Sequence, residues 1–209
     1  MRELTDIDIK SMLAEGENSN VEFKECGKAL PKEVWPTYSA FANTHGGWII
    51  LGVKEHVDRQ LPDKFEVVGI NDTKKIINDF TNLLDDPKKV SRNIITEDNI
   101  SVISIDNKKV IVINVPEADY KQKPIYINGN RYNQSYKRTF EGDKHLNDEE
   151  IAMMLRDSYP GDNDMSLMEH HDMRHIDSET LRKYRTAFNL HNPSHVFSDM
   201  DDKEFLIQM

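Results

Sequence analysis

The chain has 209 residues, 37% hydrophobic and 31% charged, with a formal net charge of −10, a globular and well-solvated composition that argues against disorder. No run approaches the ~20 apolar residues of a bilayer span, and the first residues hold no apolar leader, so a cytoplasmic protein without a membrane partner is expected. Cys26 is the single cysteine, which excludes an internal disulfide and any cysteine-based zinc site.

The negative charge is unevenly placed. Residues 1–140 hold 20 Lys/Arg against 21 Asp/Glu, a balance of −1, and residues 141–209 hold 7 against 16, a balance of −9. The front of the chain is therefore neutral with local basic clusters, which can still attract a polyanion.

In chain order, Thr5 and Asp8 read as a helix start, with Ile7, Ile9, Met12 and Leu13 as the apolar stripe and Gly16 as the stop. Val21–Lys24 alternates as a short strand. Residues 32–44 read as a helix with Pro36 in its first turn, where proline is tolerated. His45-Gly46-Gly47 ends it, and Trp48–Val53 reads as one buried strand. Phe65–Ile70 is expected as a strand and 74–84 as a helix with Ile76, Ile77, Phe80 and Leu84 inward. Ile100–Ile105 and Val110–Val115 form a hairpin around Asp106-Asn107-Lys108, the second strand apolar on both faces as in a sheet centre. Ile125–Ile127, the turn Asn128-Gly129-Asn130 and a return strand over 131–137 come next. A helix opens at Asn147 and runs to about Ser158, Pro160–Asp164 is a linker, and helical stretches lie near 178–188 and 201–207. The fold class is α+β: a mixed β-sheet with flanking helices over 1–158, then an acidic helical C-terminal arm over 159–209. The arm ends without a helix stop signal, so further domains are expected beyond it.

Val21-Glu22-Phe23-Lys24, followed about twenty residues later by Ser39-Ala40-Phe41-Ala42-Asn43-Thr44-His45-Gly46-Gly47 and the strand to Gly52-Val53, resembles the Schlafen Alba-type (AlbA_2) domain family. Ile125-Tyr126, Ser135-Tyr136-Lys137-Arg138 and Asp148-Glu149-Glu150-Ile151 extend the resemblance, which covers roughly residues 10–157. It implies an Alba/Schlafen-core-like fold that binds DNA or RNA, as in bacterial proteins assigned as transcriptional regulators. In some Schlafens it also implies a divalent-metal-dependent endoribonuclease. That site maps to Glu17, Glu22 and Glu55, both as catalytic residues and as ligands for Mg2+ or Mn2+. Glu55 stands where the nucleases carry aspartate, and the cysteines of the animal zinc site are missing.

Three carboxylates around one sheet edge suit a hard cation, which would activate water at a scissile phosphate; the plainer reading is solvated acids. Lys24, two residues beyond Glu22, shares its strand face. From 121 to 138 there is no acidic residue; Lys121, Lys123, Arg131, Lys137 and Arg138 interleave with Tyr126, Tyr132 and Tyr136. Cations for phosphates and rings for bases make a nucleic-acid surface, unless these are edge strands wearing lysines against aggregation. The expected contacts are Lys24, Lys121, Lys123, Arg131, Tyr132, Tyr136, Lys137 and Arg138. Gly46-Gly47 lacks the Gly-Lys-Ser/Thr and following helix of a phosphate loop, and permits a tight helix-to-strand reversal that Asn43 and Thr44 are expected to cap. His171 and His175 have zinc-compatible i, i+4 spacing but read as a polar face, and Trp35 and Trp48 as core. A third class of function is an interaction module whose acidic arm makes a homodimer, since helices this short are marginal alone.

Overall fold

The computed structural model describes residues 4–140, 142–158 and 173–208. The chain divides into two units, Met1–Pro160 and Gly161–Met209.

In the first unit, helix α1 (Asp6–Glu15) opens on a capping box in which Asp8 N–H donates to Thr5 Oγ1 and Thr5 N–H donates to the Asp8 carboxylate. Gly16 closes it at φ +86°. Ile9 and Leu13, four residues apart, are buried, whereas Ile7 is 74% exposed. Two residues are about 200° of helical turn, so Ile7 could not share the face of Ile9.

The main sheet has the order β1-β2-β6-β5. β1 (Val21–Lys24) runs parallel to β2 (Gly47–Leu51), and α2 (Val34–Asn43) lies between them in sequence. β6 (Lys108–Val115) is antiparallel to both β2 and β5 (Ile100–Ile105). Asp106 and Asn107, at φ +48° and +66°, make the β5–β6 turn in the conformation a two-residue hairpin requires. Strand periodicity then sorts the core. Ile49, Leu51, Ile111, Ile113 and Val115 pack with α2 and α3 (Thr73–Leu84) on one face. Val21, Phe23, Ile50, Val110 and Val112 pack with Ile9, Leu13 and Phe65 on the other. The sheet is covered on both faces, which is why Val110–Ile113 is apolar throughout.

Two expectations are corrected. Trp48–Val53 is not one strand: Gly52, at φ +98°, turns the chain off the sheet. β3 (Val53–Glu55) instead pairs with β4 (Phe65–Val67) in a separate ribbon. A Cβ at Gly52 would meet Ile70 at 3.1 Å, so the residue that permits the turn also seats it. The expected hairpin of 125–127 with 131–137 shrinks to a single bridge, Tyr126 with Ser135. The strand proper, β7 (Tyr136–Thr139), pairs with β8 (Gly142–His145), and α4 (Asp148–Ser158) follows.

The second unit contains α5 (Ser178–His191) and α6 (Asp202–Gln208). Phe188 packs edge-on against Phe205 at 5.2 Å and Tyr184 against Phe205 at 6.2 Å. Arg185 lies over the Phe205 ring, donates to the Ser198 and Met200 carbonyls and pairs with Asp202 at 2.6 Å. The packing partner that these short helices need is thus supplied within the unit. His171 lies outside the described residues, and His175 sits in a short 3-10 turn. No described helix is long and apolar enough to cross a membrane.

Candidate nucleic-acid interface and carboxylate cluster

Helix α2 is buried on all sides, and its polar residues position the site. Asn43 donates through Nδ2 to the Ile125 and Tyr136 carbonyls at 2.8 and 2.9 Å and accepts the Ile125 N–H at 2.7 Å. Ser39 donates to the Ile125 carbonyl and accepts the Tyr136 N–H. Thr44 Oγ1 accepts the Arg138 N–H. These side chains stand in for a strand partner, because buried backbone groups must be paired. The expected capping role holds for Thr44, whose N–H and Oγ1 donate to the Phe41 and Ala40 carbonyls, and is corrected for Asn43, which with Ser39 and Thr44 laces segments 125 and 136–138 onto the helix. The two glycines are steric requirements, since a Cβ at Gly46 would lie 2.7 Å from the Val115 carbonyl and one at Gly47 2.8 Å from the Asn20 carbonyl and the Phe41 ring.

Laced in this way, Arg138 is drawn inward. Its side chain is 5% exposed, over the Phe41 ring, and pairs with Glu22 at 2.7 Å and Asp143 at 2.9 Å. Asp143 also accepts from Thr37 Oγ1 at 2.6 Å. Glu22 is reached by Lys24 as well; the strand spacing does put both on one face. Glu17 accepts the Phe23 N–H. Although much of the residue is exposed, desolvation of its carboxyl end, followed by the charge of Glu22, holds its pKa above the ordinary glutamate value, and Glu55 adds to this. Three carboxylates, Glu17, Glu22 and Asp143, face two cations, Lys24 and Arg138, leaving one uncompensated negative charge. Glu55, carried off on the β3–β4 ribbon, pairs with Lys64 at 2.7 Å.

Glu17, Glu22 and Glu55 are therefore neighbours without being a coordination sphere. Among the described residues no group of three His, Cys, Asp or Glu side chains converges as a metal site requires. In the geometry present they do not fit Mg2+ or Mn2+, because both oxygens of Glu22 and one of Glu55 are already engaged by ammonium and guanidinium groups.

The expected nucleic-acid residues separate into two sets. Lys24 and Arg138 belong to the carboxylate cluster, Lys137 pairs with Glu150, and Lys123 pairs with Glu117 at 2.6 Å. Tyr136 is half-buried against His145 at 4.4 Å, while Tyr132 is exposed. Lys121 and Arg131 have no carboxylate partner among the described residues; Lys121 lies over Tyr120 and Arg131 over Tyr126. Arg92 joins them in one cleft. The segment 88–92 reaches this place through the bridge of Val90 with Ile127 and the hydrogen bond from Ser91 N–H to the Tyr126 carbonyl. Arg92 went unnoticed in the sequence although Lys88-Lys89-Val90-Ser91-Arg92 is a visible basic run; Asp143 had no signal at all.

A mixed sheet covered on both faces, with a basic segment laced onto helix α2, makes the first unit a small α+β domain. The Schlafen, AlbA_2 family model matches residues 17–147, more than half of the chain, and the chain belongs to that family. Residues 152–209 match a domain of unknown function, DUF8451. Among solved structures, the N-terminal domain of a RecG-related protein from Nitrosomonas europaea, named for an ATP-dependent DNA helicase, is 26% identical with a TM-score of 0.53, over 70% of this chain and 94% of that one. The DIP2311 protein from Corynebacterium diphtheriae is 16% identical with a TM-score of 0.47, over 95% of this chain and 39% of that one. No curated protein matches the chain.

Proposed function

We propose that the first unit is the DNA-binding module of a transcriptional regulator, holding phosphates on the face built from 88–92 and 121–131. The observation that carries this reading is the set of Arg92, Lys121 and Arg131, which line one cleft with Tyr126 and no carboxylate among the described residues. The DNA-helicase name of the Nitrosomonas neighbour favours DNA over RNA. Phosphate contacts release counterions, so affinity must fall with salt. Replacing Arg92, Lys121 and Arg131 together by Gln is expected to weaken binding to all sequences alike. The slope of log affinity against log salt should shrink by about 1 per lost contact. Lys123→Gln and Lys137→Gln, which lose internal ion pairs, should leave that slope nearly unchanged. An unaltered slope in the triple variant, measured by fluorescence anisotropy on single- and double-stranded DNA and RNA, would place the interface elsewhere.

One observation favours a second reading, the divalent-metal endoribonuclease: Glu17 stands beside Glu22 with its carboxyl raised, first by desolvation and then by the charge of Glu22. A bound ion would stabilise the native state by mass action. Because Lys24, Arg138 and Lys64 occupy the carboxylates, Mn2+ is expected to leave the melting temperature of the wild type unchanged and RNA uncut. A dose-dependent rise in melting temperature that disappears in Glu17→Gln would reverse this ordering of the two readings.

A further inference from the structure

The cleft that carries the cations is concave, and its walls restrict what can enter. Ser91 and Arg92 form one side, Lys121 to Pro124 another and Tyr126 with Arg131 a third, while Leu155 and Ser158 from the last turn of α4 close it. Its volume is about 470 Å³, within the range of small-ligand sites. Three of its four cations have no carboxylate partner among the described residues; the fourth, Lys123, is held by Glu117. The Arg131 guanidinium lies 5.3 Å from the centre of the Tyr126 ring, and its Nε is buried with no acceptor among the described residues. Ser91 Oγ accepts the Tyr126 N–H at 2.9 Å, which leaves its hydroxyl proton to be donated. The C-terminal end of α4 brings about half a negative elementary charge, outweighed by three full positive ones.

An extended polyanion lies along a surface and offers one negative charge per internal phosphodiester. A concave cluster of cations is better matched by one phosphate group approached from several sides, and a phosphate monoester carries about −1.5 to −2 at neutral pH. We infer that this cleft is a pocket for a phosphomonoester, either the terminal phosphate of a nucleic-acid strand or a free nucleotide. Arg92, Lys121 and Arg131 neutralise the charge and Ser91 donates a hydrogen bond. The inference rests on the nucleic-acid reading of this face and narrows it from a phosphate track to recognition of an end.

The test is competition by short unlabelled single strands of one sequence, bearing a 5′-phosphate, a 3′-phosphate or hydroxyls at both ends, against a labelled strand on the full chain. Titrations of adenosine monophosphate and inorganic phosphate by calorimetry form separate arms. One phosphorylated strand is expected to compete at least about tenfold better than the hydroxyl strand. Arg92→Gln should lose that advantage with an unchanged melting temperature, because Arg92 is exposed and makes no ion pair among the described residues; Lys121→Gln is the second variant. If the three strands compete alike with salt-dependent affinity, end recognition is overturned while nucleic-acid binding stands. If no strand binds but the mononucleotide does, and Arg92→Gln abolishes it, the cleft is a free-nucleotide pocket and the strand-binding function fails. If only inorganic phosphate binds, or nothing does, the pocket itself is overturned.

Discussion

Arg138→Met is expected to destabilise the first unit by about 3–5 kcal/mol, the usual cost of removing one partner from a buried ion pair. In urea titrations this would appear as a lower midpoint with an unchanged slope, and on heating as a melting temperature reduced on the order of 10 °C. The cause is specific. Without the guanidinium, Asp143 keeps only Thr37 among its described side-chain partners, and Glu22 keeps only Lys24, inside a cluster that already has negative charge in excess. Arg138 also ties down the Asn18 carbonyl at 2.8 Å, so the start of β1 loosens with it. Arg138→Met combined with Asp143→Asn should recover part of the loss by removing one orphaned charge. A loss below about 1 kcal/mol, the value typical of surface pairs, would mean that Arg138 is solvated and available to a phosphate after all.

Asn43→Leu is expected to cost about 2–5 kcal/mol. Its amide satisfies the Ile125 N–H and the Tyr136 carbonyl, and each buried group left without a partner costs about 1–3 kcal/mol. Ser39 still donates to the Ile125 carbonyl, so the segment is weakened without being released outright. The readout that separates this role from general destabilisation is amide hydrogen exchange. Protection at Ile125 should collapse while β2 and β6 keep theirs. Nucleic-acid affinity should fall together with that protection although every cation is retained, because helix α2 is one of the two supports of the Tyr126 segment, the other being Val90 and Ser91. Uniform loss of protection across the sheet would make Asn43 an ordinary core residue with no positioning role.

Local chemistry made much of this fold legible in the sequence. The Thr5–Asp8 capping box, the Asp106-Asn107 hairpin, the doubly buried Val110–Val115 strand and the α3 stripe each depend on residues within a few positions of one another. The Glu-Phe-Lys and Phe-Ala-Asn-Thr-His-Gly-Gly segments were enough to identify the family. Strand periodicity also placed Glu22 and Lys24 on one face, and charge counting located the acidic excess in the C-terminal third. What the sequence left open is the state of each charge. Lys121 and Arg138 look alike in a run without acids, yet one is exposed in the cleft wall and the other is buried between Glu22 and Asp143. That difference comes from Glu22, more than a hundred positions away, and from Asp143, brought back across the β7–β8 turn, and a charge's availability depends on its counter-charge and its burial. The tertiary structure decided likewise that Gly52 sends Glu55 onto the β3–β4 ribbon, where it pairs with Lys64, and that Arg92 lines one cleft with Arg131. Chain direction at a left-handed residue and proximity across the fold are set by packing, which no window of neighbouring residues contains.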